Sequence, residues 1–201
     1  MDTWNTAQEW ERDWWGDCLN VYGEEMKQLL YANRMGLRTF HDGRSPFNFD
    51  LCGVDILDIG GGPTSILLKC VNRGRCKVID PLVVPDWVVA RYGLAEIELE
   101  QVQAEQMTEA GWDEAWIYNV LQHTRNPAVV IRRAQQAAKT IRLFEWIDTP
   151  TNEGHPHALS EALLNKCLGG EGKVEVLNGQ NTCKGKCYYG IFPTNSINHK
   201  P

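Results

Sequence analysis

The feature that most restricts the fold is the segment 54–65, Val-Asp-Ile-Leu-Asp-Ile-Gly-Gly-Gly-Pro-Thr-Ser. It begins as a short apolar run with β-branched residues, which is typical of a buried parallel strand. It then breaks at three glycines, which let the backbone turn sharply and leave bare main chain beside a ligand. Thr64 and Ser65 can cap a helix over 64–71. This order of strand, glycine turn and helix predicts the entry of a nucleotide-binding βαβ unit.

An acidic residue follows at the position where a nucleotide-binding unit needs one. The segment 76–80, Cys-Lys-Val-Ile-Asp, is predicted as a second strand that ends in Asp80. An acid at the tip of the second strand is placed to bind the two ribose hydroxyls of an adenosine. The pair of features therefore predicts a site for an adenosine-containing ligand.

The middle of the chain alternates between predicted strands and helices. Strands are predicted at 54–59, 76–80, 95–102, 113–120 and 141–147, and helices at 64–71, 85–91, 105–110 and 127–140. Such alternation predicts a mostly parallel sheet covered on both faces, with ligands at the carboxyl edge of the strands. After residue 148 we predict a helix at 158–168 and two strands, 173–177 and 186–192, joined by a turn-rich loop. These two strands form an antiparallel hairpin.

The N-terminal part carries a helical pattern with many aromatic residues. Apolar residues recur every three or four positions over 3–22, which predicts an amphipathic helix, and four of the eight tryptophans lie there. A second helix is predicted at 24–35, ended by Gly36, and a loop at 38–50, in which His41 is expected on the surface. We expect one domain over 1–201: a cap and linker at 1–50, a core at 51–148, and a closing helix and hairpin at 149–201.

Composition excludes several classes of protein. With 43% apolar and 23% charged residues, the chain has the composition of an ordinary globular protein. Its net charge is −6, whereas a nucleic-acid binder usually has a basic surface. No apolar run approaches the roughly 20 residues that cross a membrane, and no signal peptide is recognisable. We therefore expect a cytoplasmic protein without nucleic-acid or membrane partners; its oligomeric state is not predicted. The seven cysteines are expected to be free, with Cys18, Cys52, Cys70 and Cys76 packed as small hydrophobes.

Three short segments together resemble the class I S-adenosylmethionine-dependent methyltransferases. They are Leu-Asp-Ile-Gly-Gly-Gly-Pro at 57–63, Ile-Asp-Pro at 79–81 and Asn-Val-Leu-Gln-His at 119–123, in the order and spacing of that family. The chain departs from the pattern at Thr64, where many members have a third alternate glycine. The resemblance implies a Rossmann-like α/β fold, with a seven-stranded, mostly parallel sheet, an antiparallel C-terminal hairpin and a helical N-terminal cap over the substrate side. It implies S-adenosylmethionine as cofactor and a small-molecule acceptor methylated at oxygen or nitrogen.

The resemblance also assigns roles to residues along the carboxyl edge of the sheet. The glycine turn would approach the amino-acid part of the cofactor, Asp58 would organise that turn and meet the amino group, and Asp80 would bind the ribose. The predicted cofactor-binding residues are Asp58, Gly60, Gly61, Gly62, Asp80, Pro81, Gln103, Ala104, Glu105 and Asn119. Gln103 to Glu105 would bracket the adenine, and Asn119 would lie beside the methionine part.

Four residues are candidates for a catalytic base that takes a proton from the acceptor: His123, Asp148, His155 and His157. Histidine suits this work because its pKa lies near neutral, so turnover is expected to rise through a pKa near 6–7. His155 or His157 is preferred over His123. The site is predicted to be free of metal. As an alternative, His155, His157, Cys183 and Cys187 could form a tetrahedral zinc set.

Two other functions remain open at this point. Gly60-x-Gly62-x-x-Ser65 approaches the fingerprint of a nicotinamide-dependent oxidoreductase, although the terminal hairpin and the lack of a second mononucleotide half argue against it. A binding or regulatory protein can also keep this fold without turnover, because fold alone does not determine function.

Overall fold

Seven strands form the central sheet in a computed structural model of the chain, which describes residues 3–19, 21–40, 48–179 and 183–194. The strands of this sheet are β3 (Ile56–Ile59), β5 (Cys76–Ile79), β6 (Glu98–Glu100), β7 (Trp112–Tyr118), β8 (Ala138–Ile147), β9 (Lys173–Asn178) and β10 (Lys184–Pro193). Their order is β6-β5-β3-β7-β8-β10-β9. Only β10 runs antiparallel to its two neighbours, β8 and β9. The predicted seven-stranded, mostly parallel sheet with an antiparallel C-terminal hairpin is confirmed.

The order of the strands determines where a ligand can bind. Strand β3 lies between β5, which follows it in the chain, and β7 on the other side. The connection after β3 leads to one side of the sheet, towards β5, whereas the connection after β7 leads to the other side, towards β8. The carboxyl ends of β3 and β7 therefore border a crevice. In open α/β sheets ligands bind in this crevice.

Both faces of the sheet are covered, so that every residue of β3 is buried. Ile56 and Val78 belong to the apolar cluster on one face, whereas Leu57 and Ile79 belong to the cluster on the other. This is the continuous apolar pattern of a parallel sheet buried on two sides. Asp58, also in β3, is a buried carboxyl group within this apolar core.

In the described residues, five α-helices accompany the sheet: α1 (Thr3–Trp15), α2 (Tyr22–Arg34), α3 (Asp86–Leu94), α4 (Pro127–Ala137) and α5 (Glu161–Leu168). The start of α4 has a clear local cause, since the Asn126 side chain accepts the N–H groups of Ala128 and Val129. Helix α5 ends at Gly169, which adopts a left-handed φ of +71°. No helix in the described ranges is long and apolar enough to span a membrane.

Three predicted helices differ from the observed ones, and in place of the helix predicted over 105–110 there is only a 3₁₀ turn, Ala104–Gln106. The helix predicted over 3–22 ends at Trp15, because Gly16 and Cys18 have left-handed φ angles of +51° and +61°. The helix predicted over 64–71 is replaced by two 3₁₀ turns, Gly62–Thr64 and Ile66–Lys69. Ser65 separates them, because its backbone is extended and its hydroxyl oxygen accepts the N–H of Leu67, which starts a new turn.

The predicted loop at 38–50 contains two short strands. Strands β1 (Thr39–Phe40) and β2 (Asn48–Asp50) form a small sheet with β4 (Cys70–Val71). Residues 41–47, which include His41, lie outside the described part of the chain. All seven cysteines are free, and the expected burial is wrong for Cys52, which is exposed.

Candidate active site

A cavity of about 360 Å³ lies at the carboxyl edge of the sheet, in the crevice between β3 and β7. This volume is in the range of small-molecule sites. The turns after β3, β5, β6 and β7 form its floor, and α1 and α2 contribute its roof. The floor residues are Gly60, Gly61, Gly62, Asp80, Pro81, Gln103, Ala104, Glu105, Asn119, Val120 and His123, and the roof residues include Trp4, Gln8, Trp10, Glu11, Trp14, Trp15, Glu24, Lys27 and Gln28.

The glycine turn after β3 brings bare main chain to the cavity. Gly60 and Gly62 have positive φ angles of +75° and +57°. A Cβ atom at Gly60 would lie 2.5 Å from the methyl groups of Val120, and one at Gly61 would lie 2.6 Å from Oδ2 of Asp58. Side chains therefore do not fit at these positions, and the turn requires glycine for both conformation and space.

Asp58 organises this turn from behind. Its Oδ2 accepts hydrogen bonds from the hydroxyl groups of Ser65 and Tyr118, and the Tyr118 oxygen in turn accepts the N–H of Ile66 at 3.1 Å. Burial raises the pKa of Asp58 to about 7, against the effect of these two hydrogen bonds. Asp58 does not line the cavity, so its predicted contact with the amino group of a cofactor receives no support from this geometry.

Asp80 is held at the tip of β5 with its carboxylate beside the glycine turn. Gly62 donates its N–H to Oδ2 at 2.9 Å, and Leu82 donates to Oδ1 at 2.8 Å. Burial and, second, the negative charge of Glu11 together raise the pKa of Asp80 to about 7. The acid predicted from sequence is thus fixed by its own neighbours and lines the cavity together with Pro81.

The far side of the floor consists of two further turns. Glu105 lies in a 3₁₀ turn, Ala104–Gln106, and its Oε1 accepts the N–H groups of Arg125 and Asn126. The acid predicted to bracket an adenine therefore also joins this turn to the next loop. Asn119 has a positive φ of +58°, and its Oδ1 accepts a hydrogen bond from Gln122 at 3.0 Å.

Two of the four candidate bases lie together in the cavity. The rings of His123 and His155 meet edge to face with centroids 4.6 Å apart. Nδ1 of His123 lies 2.8 Å from the carbonyl oxygen of Gly154. Because a carbonyl only accepts, Nδ1 carries the proton and Nε2 is left as an acceptor. Burial lowers the pKa of each histidine to about 4, so both rings are neutral at pH 7.

The other two candidate bases do not line the cavity. Asp148 is exposed, and its Oδ2 lies 2.7 Å from Nζ of Lys186. His157 has its Nε2 at 3.1 Å from the carbonyl oxygen of Arg125. The geometry therefore gives no support to a catalytic role for either residue.

The described residues do not form the alternative zinc site. Within the described ranges, no group of three or more His, Cys, Asp and Glu side chains is arranged to hold a metal ion. Of the proposed set, Cys187 is buried in the apolar cluster on one face of the sheet, whereas His155 packs against His123.

Sequence reasoning missed several residues of the roof, and Glu11 is the most informative. Trp4, Gln8, Glu11 and Trp15 follow each other at spacings of four, three and four, so one face of α1 carries all of them into the cavity. The helical spacing was visible in the sequence and would have placed Glu11 beside the tryptophans. Trp146 of β8 also lines the cavity, and no local signal indicates this.

Comparisons with known proteins place this geometry among solved structures. No profile of a known protein family matches the chain, and no curated protein matches it. A structure of DhpI in complex with SAH has a TM-score of 0.61 at 15% identity, over 96% of this chain and 97% of that one. A putative methyltransferase in complex with the Haloferax volcanii Trm112 methyltransferase activator has a TM-score of 0.58 at 11% identity, over 92% and 97%.

A third structure is a SAM-dependent methyltransferase from Aquifex aeolicus, with a TM-score of 0.54 at 15% identity over 83% of this chain and 88% of that one. At identities this low, the structural similarity establishes the fold alone. The activity has to be inferred from the residues of the site. This chain therefore has the class I S-adenosylmethionine-dependent methyltransferase fold.

Proposed function

We propose that this protein is an S-adenosylmethionine-dependent methyltransferase that methylates a hydroxyl or amino group of a small molecule. One observation carries the proposal: a single cavity joins the glycine turn and Asp80 to an unprotonated nitrogen of His123. The first two features suit a nucleoside cofactor, and the third suits removal of a proton from an acceptor.

The residues of the floor fit the cofactor. The bare turn at Gly61 and Gly62 accommodates the amino-acid part against main chain, and Asp80 accepts a hydrogen bond from the ribose. The four acids of the lining, Glu11, Glu24, Asp80 and Glu105, outnumber its two lysines, Lys27 and Lys184, so the electrostatic environment of the cavity is favourable for a sulfonium cation. The same acids disfavour a phosphate backbone, so they support a small molecule over a nucleic acid as acceptor.

When bound, the cofactor supplies a methyl group activated by the positive sulfur. The protein's own contribution is to align the acceptor, exclude water and receive a proton. His123 is the residue best placed for the last step, because Gly154 fixes its tautomer and leaves Nε2 as an acceptor, with the side-chain amide nitrogen of Gln122 at the long distance of 3.5 Å. His155 packs against its ring and shares its low pKa. We therefore propose His123 as the catalytic base, in place of His155 or His157, which the sequence analysis preferred.

The acceptor side is the part of the cavity around His123 and His155. Trp10 lies against His155, with ring centroids 5.9 Å apart, and stacks on Trp14 at 5.6 Å. These rings provide an apolar wall that removes water from the reacting atoms, and helix α1 supplies it. This arrangement supports the expectation that the N-terminal helix covers the acceptor.

Calorimetry with three ligands tests the proposal directly. We expect S-adenosylmethionine and S-adenosylhomocysteine to bind and NAD not to bind. Tight binding of NAD alone would replace the proposal by the oxidoreductase alternative. A regulatory protein without turnover would bind both methionine derivatives, yet it would release no S-adenosylhomocysteine from S-adenosylmethionine with any hydroxyl or amine acceptor in a small-molecule panel.

A further inference from the structure

We propose that Glu11 of helix α1 is a second cofactor-binding carboxylate, which accepts a hydrogen bond from the ribose opposite Asp80. The inference rests on the proposed function, because it needs an adenosine ligand beside Asp80. It goes beyond that function by making the N-terminal helix part of the cofactor site as well as part of the acceptor wall.

The position of Glu11 follows from contacts around Gly62. Two atoms approach the point where a Cβ of Gly62 would lie: Cζ2 of Trp15 at 3.6 Å and Oδ2 of Asp80 at 3.9 Å. Trp15 and Asp80 thus meet over the same glycine, from the roof and from the floor. Glu11 is one helical turn before Trp15 on α1, and it lines the same cavity as Asp80.

The carboxylate of Glu11 is oriented by its own helix. The side chains of Trp15 and Gln8 lie on either side of it along α1, and their polar groups favour the charged form of Glu11 by lowering its pKa against the effect of burial. The negative charge of Glu11 contributes to the raised pKa of Asp80. Two acids therefore line the same cavity, Glu11 from the roof and Asp80 from the floor, where the N–H groups of Gly62 and Leu82 hold Asp80.

Such a pair is suited to a ligand with two adjacent hydroxyl groups. Carboxylates that face each other in a partly buried corner repel, and hydrogen-bond donors between them relieve the repulsion. Each oxygen of Asp80 already accepts one backbone N–H. A ribose offers two neighbouring O–H donors, so one can go to Asp80 and the other to Glu11. Cofactor binding would then hold α1 down over the acceptor side.

A purely structural role for Glu11 predicts something different. If Glu11 only positions Trp15 and Gln8, its removal weakens every nucleoside ligand to the same degree. If it accepts a ribose hydroxyl, its removal weakens only ligands that possess that hydroxyl. The two roles are separated by combining a variant of the protein with a deoxy variant of the ligand.

The experiment uses calorimetry of S-adenosylhomocysteine and its 2′-deoxy and 3′-deoxy analogues with the full chain. Glu11→Met removes the acceptor at similar volume, Glu11→Gln keeps one neutral acceptor, and Glu9→Gln on the exposed side of α1 is the matched control. We expect Glu11→Met to weaken S-adenosylhomocysteine about 10-fold, as loss of a hydrogen bond to a charged group does. Glu11→Gln should weaken it less, and Glu9→Gln should leave it unchanged.

The deoxy analogues decide the inference. For one of them, wild type and Glu11→Met should bind with equal affinity, because the hydroxyl that Glu11 would accept is gone. Equal losses for all three ligands in Glu11→Met would overturn the role of Glu11 while leaving the proposed function intact. Failure of the wild-type chain to bind S-adenosylhomocysteine would instead overturn the proposed function itself.

Discussion

Tyr118 donates its hydroxyl hydrogen to the buried carboxylate of Asp58 across 2.6 Å. The two residues lie on neighbouring strands, β7 and β3, and the same tyrosine oxygen accepts the N–H of Ile66. One hydroxyl group therefore joins two strands to the chain that leaves the glycine turn. The shape of the cavity beside the glycine turn depends on this connection, although neither Asp58 nor Ile66 lines the cavity.

Tyr118→Phe should destabilise the protein by removing this connection. The Ile66 N–H and the Asp58 carboxylate would each lose a partner in a buried place, which costs roughly 1–3 kcal/mol. Urea unfolding monitored by circular dichroism measures the loss. Tyr189→Phe is the matched control, because the Tyr189 hydroxyl reaches only the partly exposed Glu175 at 3.3 Å; equal losses in the two variants would contradict the role of Tyr118.

Asp80→Ala should weaken binding of S-adenosylhomocysteine while leaving the fold intact. The variant removes the acceptor for the ribose, so a loss of roughly 1–3 kcal/mol in binding is expected. The Gly62 and Leu82 N–H groups also lose this acceptor, which lowers stability and not affinity. Calorimetry gives the value. The control is Asp86→Ala, at the exposed start of α3, which should bind as wild type does. Unchanged affinity in Asp80→Ala would contradict the contact between Asp80 and the ribose.

The sequence predicts the floor of this site better than its roof, for a physical reason. Gly60 and Asp80 are found because strand patterns and glycine turns are local, and parallel strands bring their ends to one edge. The break at Ser65 was missed, because a side-chain hydrogen bond to Leu67 outweighed the helical pattern. The position of Trp146 in the cavity lining depends on tertiary packing, and no local sequence pattern predicts it.

The histidines show the same limit. His155 and His157 are two positions apart and equivalent as sequence, yet only His155 lines the cavity. The path of the loop decides this, since Gly154 packs beneath Trp10 and turns His155 towards His123. The pKa expected near 6–7 for a histidine base also depends on burial, and burial lowers the pKa of His123 to about 4.

His123→Ala should lower kcat by about 10²–10⁴-fold with binding of S-adenosylhomocysteine retained, as loss of a general base does. His157→Ala, outside the cavity, is the control and should keep full turnover. In the wild type, the base is active when neutral, so kcat at saturating cofactor should rise with pH through about 4 and stay level towards neutral pH. A limb near pH 6–7 in kcat, or full activity in His123→Ala, would count against this assignment.

Glu145→Gln should make stability less dependent on pH between about 4.5 and 8. Glu145 is fully buried, its Oε1 accepts the N–H groups of Val120 and Leu121, and burial raises its pKa from 4.5 to about 8. Between these values the folded state holds a proton that the unfolded state releases, so the free energy of unfolding falls as pH rises and levels off above about 8. The slope is at most about 1.4 kcal/mol per pH unit.

Urea unfolding of wild type and Glu145→Gln at pH 7, 8 and 9 measures this contribution. Asp58, whose pKa is raised to about 7, adds to the slope mainly below pH 7, so the change in Glu145→Gln should be clearest between pH 7 and 8. Glu175→Gln is the control, because the pKa of Glu175 is lowered by Arg34 and its carboxylate stays ionised in both states over this range. Identical slopes in wild type and Glu145→Gln would refute the buried proton.

Gly154→Ala should detach helix α1 from the acceptor side. A Cβ at Gly154 would lie 2.4–2.8 Å from three ring atoms of Trp10, so the indole and the helix that carries it have to move. Overpacking of this kind costs about 1–3 kcal/mol. We expect faster amide hydrogen exchange over Thr3–Trp15 and a large loss of methyl transfer. Gly93→Ala in α3 is the control, since no atom lies within 4 Å of its added Cβ. If amide exchange in α1 is as slow in Gly154→Ala as in Gly93→Ala, α1 is held in place without the contact between Trp10 and Gly154.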